Sequence, residues 1–171
     1  MLFDCSKVWK WLGVAGVPKA DLSTKEGKLN MLNRFKLIQE ELEELSLAIR
    51  NGDETMVMDG VIDLLWAVSN VSYSLDPEKL RKYREAVQES NWSKFCSTEK
   101  EALESQSFYD QGTHYSKFGQ KIQADIVKVG HLFILKSPEG KVLKSHKYYD
   151  AKFLYEKSIE LAENEPKTNE P

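Results

Sequence analysis

The spacing of apolar residues between Thr24 and Ser74 constrains the fold more than any other feature of the sequence. From Thr24 to about Arg50, apolar residues recur every three or four positions, as on one face of an α-helix. These core-face residues are Phe35, Ile38, Leu42, Leu45 and Ile49, preceded by Leu32. Asn51-Gly52 is a helix stop, and the next segment, from about Asp53 to Ser74, is apolar nearly all round, as expected for a buried helix. The sequence therefore predicts two antiparallel helices joined by a short turn.

The rest of the chain is predicted to be helical except for one β-hairpin near its C-terminal end. Helix-start signals predict three further helices, from about Pro77 to Glu89, from Ser97 to Gln111 with Gly112 as the stop, and from Ala151 to Asn164. Residues on both sides of "SPEG" favour strands, with Pro138 and Gly140 at the turn. We expect one mainly all-α domain over residues 1–171, with a helical core at about 24–111 and the hairpin and last helix at about 122–164.

Composition excludes several classes of protein. The net charge of -3 argues against general binding to nucleic acid or to a membrane surface. The two cysteines, Cys5 and Cys96, are too few for a disulfide framework and lack metal-ligand spacing. The N-terminal stretch is interrupted by charged residues and has no signal-peptide core. We therefore expect a cytoplasmic protein with neither a nucleic-acid nor a membrane partner.

Carboxylates gather on one face of each of the two central helices. On a wheel of about 100° per residue, Glu40, Glu41 and Glu44 share a face, and Asp59, Asp63 and Asn70 lie within roughly 40° on the second helix. No Lys or Arg occurs between Asn51 and Glu78, so no local ion pair can neutralise these aspartates. Five like charges in desolvated surroundings need cations, and ligands that are all oxygen favour Mg²⁺ or Mn²⁺. The alternative is a solvated acidic face without function.

The sequence around these carboxylates resembles the motifs of a known family. "EELEE" at Glu40–Glu44, followed by "DGVIDLLWAVSN", resembles the all-α nucleoside triphosphate pyrophosphatases, the MazG-like and phosphoribosyl-ATP pyrophosphohydrolase-like group. "SNWSK" and "SPEGKVLKSHKYY" resemble two distal segments of the same group. One position departs from the pattern: the usual second motif is E-x-x-D, but Gly60 stands three residues before Asp63, so Asp59 would have to serve as the ligand.

The resemblance implies a MazG-like helical bundle that hydrolyses a nucleotide between its α and β phosphates. It implies metal ligation by Glu40, Glu41, Glu44, Asp59 and Asp63, with Glu41 or Glu44 taking the proton of the attacking water. Asn70 is expected to help seat the nucleotide. Further candidates for substrate binding, each with an ordinary structural alternative, are Asn91, Lys94, Lys141, Lys144, Trp66 and Tyr148. The implied substrate is a pyrimidine deoxynucleotide such as dUTP or dCTP, and the implied assembly is a homodimer or a dimer of dimers.

Two other functions stay open at this point. A nucleotide-binding regulator that has lost catalysis would keep the metal site, and the departure at Gly60 leaves room for it. A metal-free helical interaction module would explain the helices but not the unpaired aspartates. Measurements of magnesium-dependent stabilisation and of pyrophosphate release distinguish the enzyme, the regulator and the interaction module.

Overall fold

The chain divides into two compact units in the computed structural model. The model describes residues 4–111 and 122–164, and contacts group the chain into Met1–Asp76 and Pro77–Pro171, called here unit 1 and unit 2. Within the described residues the fold is mainly helical, with a small two-stranded antiparallel sheet, which confirms the predicted class. The prediction that the whole chain is a single domain stays a prediction.

The described residues of unit 1 form three helices: α1 (Cys5–Val14), α2 (Lys25–Asn51) and α3 (Glu54–Ser72). The two central helices begin and end close to the predicted positions, because their caps are encoded locally. Thr24 and Asp53 are the N-caps, accepting hydrogen bonds from the backbone N–H of Gly27 and Met56. Gly52 ends α2 in the left-handed conformation, with φ of 68°, where a residue without a side chain is favoured. Helix α1 was not predicted from the sequence, although Asp4 caps it.

Helices α2 and α3 pack antiparallel, as predicted, but α2 uses a different face. Arg34 near the start of α2 bonds to Asn70 near the end of α3, and Leu45 lies against Gly60. The predicted core face is wrong at three of its five positions, since Phe35, Leu42 and Ile49 are 49%, 54% and 61% exposed, whereas Ile38 and Leu45 are half-buried. The buried or half-buried face of α2 consists instead of Arg34, Ile38, Glu41, Leu45 and Ala48.

The physical reason for this difference is the close approach that Gly60 allows. Because residue 60 has no side chain, α3 lies directly on the backbone of Leu45. The observed face is turned by roughly 60° from the predicted one, toward the glutamates. Glu41 therefore lies on the packing face and not beside it.

Helix α1 packs on α3 through both apolar and polar contacts. Val8 and Leu12 are each only 1% exposed. The Trp9 indole Nε1 donates to the Ser69 carbonyl at 3.2 Å and to the Ser72 hydroxyl at 3.0 Å. These contacts fix the C-terminal half of α3, which carries Asn70.

Unit 2 contains α4 (Pro77–Trp92), α5 (Glu99–Asp110), the strands β1 (Asp125–Val129) and β2 (Leu132–Lys136), and α6 (Ala151–Asn164). The predicted capping box of α5 is confirmed, since Thr98 Oγ1 accepts from Glu101 N at 3.2 Å and Glu101 Oε2 accepts from Ser97 N at 2.8 Å. The predicted stop at Gly112 lies outside the described residues. The predicted bounds of α6 are confirmed.

The hairpin is present, but its turn is not the predicted one. Strands β1 and β2 are antiparallel, and Val129 pairs with Leu132 across a two-residue turn formed by Gly130 and His131. Gly130 has φ of 60°, the conformation that short hairpin turns require. "SPEG" forms a second turn, in which Gly140 N donates to Ser137 O at 2.8 Å. Lys141 and Lys144 therefore follow this second turn and lie on neither strand of the sheet.

The core of unit 2 lies between α5 and the sheet. Its buried residues are Cys96, Ala102, Tyr109, Ala124, Leu135 and Leu143. Among the described residues, no helix is both long enough and apolar enough to cross a membrane.

Candidate functional site

Helices α2 and α3 bring together the five carboxylates that the sequence singled out. Glu41 is half-buried, whereas Glu40, Glu44, Asp59 and Asp63 are exposed. The pKa of Glu41 is raised above its ordinary value, mainly by burial and then by the negative charges of Asp63, Glu44, Glu40 and Asp59. Glu41 thus lies close enough to both aspartates of α3 for their charges to act on it.

The expected burial of the two aspartates is wrong. Asp59 and Asp63 are exposed, and so are apolar neighbours on the same helix, including Val61 and Ile62 at 42% each. Only Gly60, Ala67 and Ser69 of α3 are buried. The apolar residues of α3 were taken as evidence of enclosure, but within the described structure most of them lie at the surface.

The five carboxylates offer the oxygen donors that a hard cation prefers. Their side chains do not converge on one metal position. In the described parts of the chain, no three or more His, Cys, Asp or Glu side chains are grouped closely enough to hold a metal ion. None of the five carboxylates forms an ion pair with a described residue. Oxygen is the only donor atom in these five carboxylates, and no described residue pairs with them. Such a set of ligands suits Mg²⁺ or Mn²⁺.

Asn70 and Trp66 lie one turn apart on α3, next to the aspartates. The Asn70 amide donates from Nδ2 to the Trp66 carbonyl at 3.3 Å, and its side chain is only half-buried. The Trp66 ring lies edge-on to Trp11 of α1, with centroids 5.8 Å apart. Trp66 therefore takes part in packing between helices, which is its ordinary structural role. Its stacking on a nucleotide base stays a prediction.

Arg34 is an important residue of this unit that the analysis of the sequence missed. It is 6% exposed and donates to Asn30 Oδ1 at 3.1 Å, to the Asn70 carbonyl and the Ser74 hydroxyl at 2.9 Å each, and to the Pro18 carbonyl. Burial lowers the pKa of its guanidinium, with Tyr73 acting in the opposite direction.

All of these hydrogen-bond acceptors are neutral oxygens, so Arg34 is a buried cation that ties the end of α3 to the α1–α2 connection. A signal for it exists in the sequence. Arg34 stands seven residues before Glu41 and eleven before Leu45, on the same helical face.

The remaining five site candidates belong to unit 2, where four of them form two pairs. The Lys94 ammonium donates to Asn91 Oδ1 at 2.6 Å, so these two candidates are engaged with each other. The Lys144 ammonium lies 4.1 Å from the centre of the Tyr148 ring, a cation–π contact. Lys141 is exposed, and its backbone N–H donates to the Ser137 hydroxyl at 3.3 Å.

Unit 2 also contains a serine–histidine–glutamate arrangement that the analysis of the sequence missed. Ser105 Oγ lies 2.8 Å from His146 Nδ1, and His146 Nε2 lies 3.5 Å from Glu104 Oε2. Ser105 is fully buried, and its hydroxyl lies 2.7 Å from the Glu101 carbonyl, to which it donates. A buried hydroxyl cannot reach a substrate, so this serine is a structural anchor for His146 and not a nucleophile.

Comparisons with known proteins gave no match. No protein-family model matches the chain, and searches of curated proteins and of solved structures found nothing similar. The interpretation of the site therefore depends on the residues and geometry given above.

Proposed function

We propose that this chain is a metal-dependent nucleoside triphosphate pyrophosphohydrolase of MazG-like helical fold. The observation that supports it most is the environment of Glu41. Its pKa is raised by burial and by four further carboxylates, two on its own helix and two on the antiparallel one. Within the described residues these five acids have no cationic partner, so their mutual repulsion lowers the stability of the fold, and a bound cation would restore it.

We assign metal binding and proton transfer to different residues of unit 1. A bound Mg²⁺ supplies neutralisation of the triphosphate charge and acidification of a water ligand. Glu40, Glu44, Asp59 and Asp63 are the ligands we propose, because they are exposed and able to move toward a cation. Glu41 is the residue that we propose to accept the proton of the water, since it lies on the packing face of α2 with the other four carboxylates around it. Glu44 is the second candidate for this role.

Asn70 is proposed to bind the sugar or base of the nucleotide. Its carbonyl is fixed by Arg34 at 2.9 Å, which holds this turn of α3 in place, while its amide is half-buried at the surface. An amide both donates and accepts hydrogen bonds, which suits a sugar hydroxyl or a base edge better than a cation. The nucleotide we propose is a pyrimidine deoxynucleotide such as dUTP or dCTP, and its products are the monophosphate and pyrophosphate.

Assembly as a homodimer or a dimer of dimers is part of the proposal. Apolar side chains of α2 and α3 are exposed along both helices, and the largest exposed fractions are 61% at Ile49, 60% at Leu32 and 59% at Leu29. Such a surface is typical of an interface. A second copy of the chain is the partner that we propose for it.

The test is an assay of the purified chain against a panel of ribo- and deoxynucleoside triphosphates with Mg²⁺, in which both phosphate products are identified. We expect pyrophosphate from at least one pyrimidine deoxynucleotide and none when a chelator is in excess. Orthophosphate as the first product, or full activity in chelator, would contradict the proposal.

The same assay separates the two alternatives. Magnesium-dependent nucleotide binding without pyrophosphate release would indicate a regulator, and the absence of any magnesium effect on stability would indicate an interaction module.

A further inference from the structure

A pocket in unit 2 combines aromatic walls with two nitrogen-bearing side chains. It lies between α5 and the segment 144–148, which follows the "SPEG" turn, and it encloses about 270 Å³. Phe108, Tyr109, Lys144, His146 and Tyr148 line it. This volume is just below the range of roughly 300–1,000 Å³ typical of pockets for whole small molecules, so it suits a ligand with one phosphate better than a triphosphate.

The backbone of Lys144 is fixed at the edge of this pocket. Tyr109 is 4% exposed, and its hydroxyl donates to the Lys144 carbonyl at 2.9 Å and accepts from the Lys144 N–H at 3.0 Å. The Ser145 hydroxyl donates to the Ser93 carbonyl at 2.7 Å, which anchors the next residue as well. The Lys144 ammonium is exposed and contacts the Tyr148 ring. The segment is therefore held at its backbone while the ammonium stays available to a ligand.

His146 is held closely at one ring nitrogen and only loosely at the other. Because Ser105 Oγ donates to the Glu101 carbonyl, its contact of 2.8 Å with Nδ1 requires the proton to be on Nδ1. Nε2 is thus the nitrogen that faces Glu104, at 3.5 Å, a distance too long for a strong hydrogen bond. The imidazole is parallel to the Phe108 ring, with an interplanar angle of 7° and centroids 6.2 Å apart.

We propose that this pocket binds a nucleoside monophosphate, with the phosphate between the Lys144 ammonium and His146 Nε2 and the base against the aromatic walls. An ammonium and an imidazole that line the same pocket suit a phosphomonoester, because both side chains donate hydrogen bonds to phosphate oxygens when they carry a proton. Flat aromatic side chains suit a base. Glu104 is the neighbouring acid that the phosphate would displace from His146, and the Glu101 carboxylate is already paired with Lys147.

This inference extends the proposed function, because a nucleoside monophosphate is one of its two products, but its test does not require hydrolysis. The probe is deoxyuridine monophosphate, added in excess chelator and followed by the NMR signals of the histidine rings. We expect the His146 signals to move in a saturable way, while those of His131, in the hairpin turn, stay in place. A wild-type protein whose His146 signals do not move would overturn the proposal.

Variants and simpler probes make the test specific. Lys144→Met and His146→Gln should each weaken binding by about tenfold or more, as expected for the loss of a hydrogen bond to a charged group. The control Lys152→Met removes a lysine of α6 that is 73% exposed, and it should leave binding unchanged. Inorganic phosphate should bind more weakly than the monophosphate, and deoxyuridine more weakly still.

If inorganic phosphate binds as tightly as the monophosphate, the aromatic walls have no role and the proposal is overturned. It is also overturned if Lys152→Met weakens binding as much as Lys144→Met does. If Lys144→Met fails to fold, the shift of His146 in the wild type still decides the question. A protein that binds the monophosphate but releases no pyrophosphate from any triphosphate would contradict the proposed function and leave this pocket assignment standing.

Discussion

Gly60 of α3 lies directly on Leu45 of α2: a β-carbon at residue 60 would be 3.2 Å from both the Cα and the Cβ of Leu45. Main-chain atoms cannot rotate away from such a contact, so Gly60→Ala would push the two helices apart. Overpacking of this kind costs about 1–3 kcal/mol, against about 1 kcal/mol gained from the higher helix propensity of alanine. We expect Gly60→Ala to lower the free energy of unfolding in a urea titration.

The matched control is Gly13→Ala in α1, where the nearest atom to an added β-carbon is the Tyr73 hydroxyl at 3.7 Å. This substitution should be neutral or stabilising, because alanine favours the helix and meets no close neighbour. Equal effects of the two substitutions would contradict the close packing of α3 on α2.

The raised pKa of Glu41 predicts the pH dependence of stability in the absence of metal. A carboxyl whose pKa is higher in the folded state destabilises the fold when it ionises. The penalty is absent at low pH, grows as the pH rises from about 4.3 through the folded pKa, and is constant above it. Glu41→Gln should therefore be more stable than the wild type at neutral pH, and this difference should vanish in acid.

Thermal unfolding in chelator at several pH values measures this difference. Glu43→Gln is the control, since Glu43 is on the same helix and exposed, and it is not among the acids that raise the pKa of Glu41. A Glu41→Gln protein less stable than the wild type at neutral pH would mean that Glu41 is held by stabilising partners.

The bonds of Arg34 predict a large loss of stability when it is replaced. Arg34→Met would remove the hydrogen bonds from this cation to the Asn70 and Pro18 carbonyls and to the Ser74 hydroxyl, and each hydrogen bond to a charged group contributes about 1.5–3 kcal/mol. We expect a loss of about 3 kcal/mol or more in equilibrium unfolding. Arg50→Met, at an exposed position in the last turn of the same helix, should change stability by less than about 0.5 kcal/mol.

The position of Asn70 predicts a separation of nucleotide binding from metal binding. Asn70→Ala removes an amide that the proposal assigns to the nucleotide, so the KM for the triphosphate should rise while the magnesium concentration at half-maximal activity stays the same. The expected loss is about 1–3 kcal/mol in kcat/KM. Steady-state kinetics at several magnesium concentrations measure both quantities, and an unchanged KM and kcat would remove Asn70 from the site.

How far the sequence predicts the fold depends on how local the determining signal is. Thr24, Gly52 and Asp53 fix the ends of two helices through their own side chains or backbone, so those bounds follow from the sequence. The face by which α2 meets α3 depends on a contact between residues 45 and 60, which no local pattern encodes. The hairpin turn was misplaced for a similar reason, because two turn signals compete and only strand pairing selects Gly130-His131.

The candidate site was predictable in its acids and not in its supporting residues. Helical spacing places Asp63 and Glu41 near each other whichever of the two neighbouring faces of α2 is buried. The prediction of the carboxylate set therefore does not depend on the packing face, which was predicted wrongly. His146 was missed because its partner Ser105 is 41 residues away in the sequence. Arg34 shares a helical face with Glu41, but its role was missed because its acceptor at Asn70 is 36 residues away. Exposure of Asp59 and Asp63 was also missed, since an apolar helix was equated with an enclosed one.

The most direct test of the central claim measures pyrophosphate release and magnesium-dependent stability on the same three proteins: wild type, Asp63→Asn and the control Glu43→Gln. We expect the wild type and Glu43→Gln to release pyrophosphate from a pyrimidine deoxynucleoside triphosphate. Both should be stabilised by magnesium, by about 2.7 kcal/mol at a concentration of 100 times Kd. Asp63→Asn should lose both properties together while staying folded. Release of pyrophosphate by Asp63→Asn at the wild-type rate, with undiminished stabilisation by magnesium, would contradict the carboxylate site on α2 and α3.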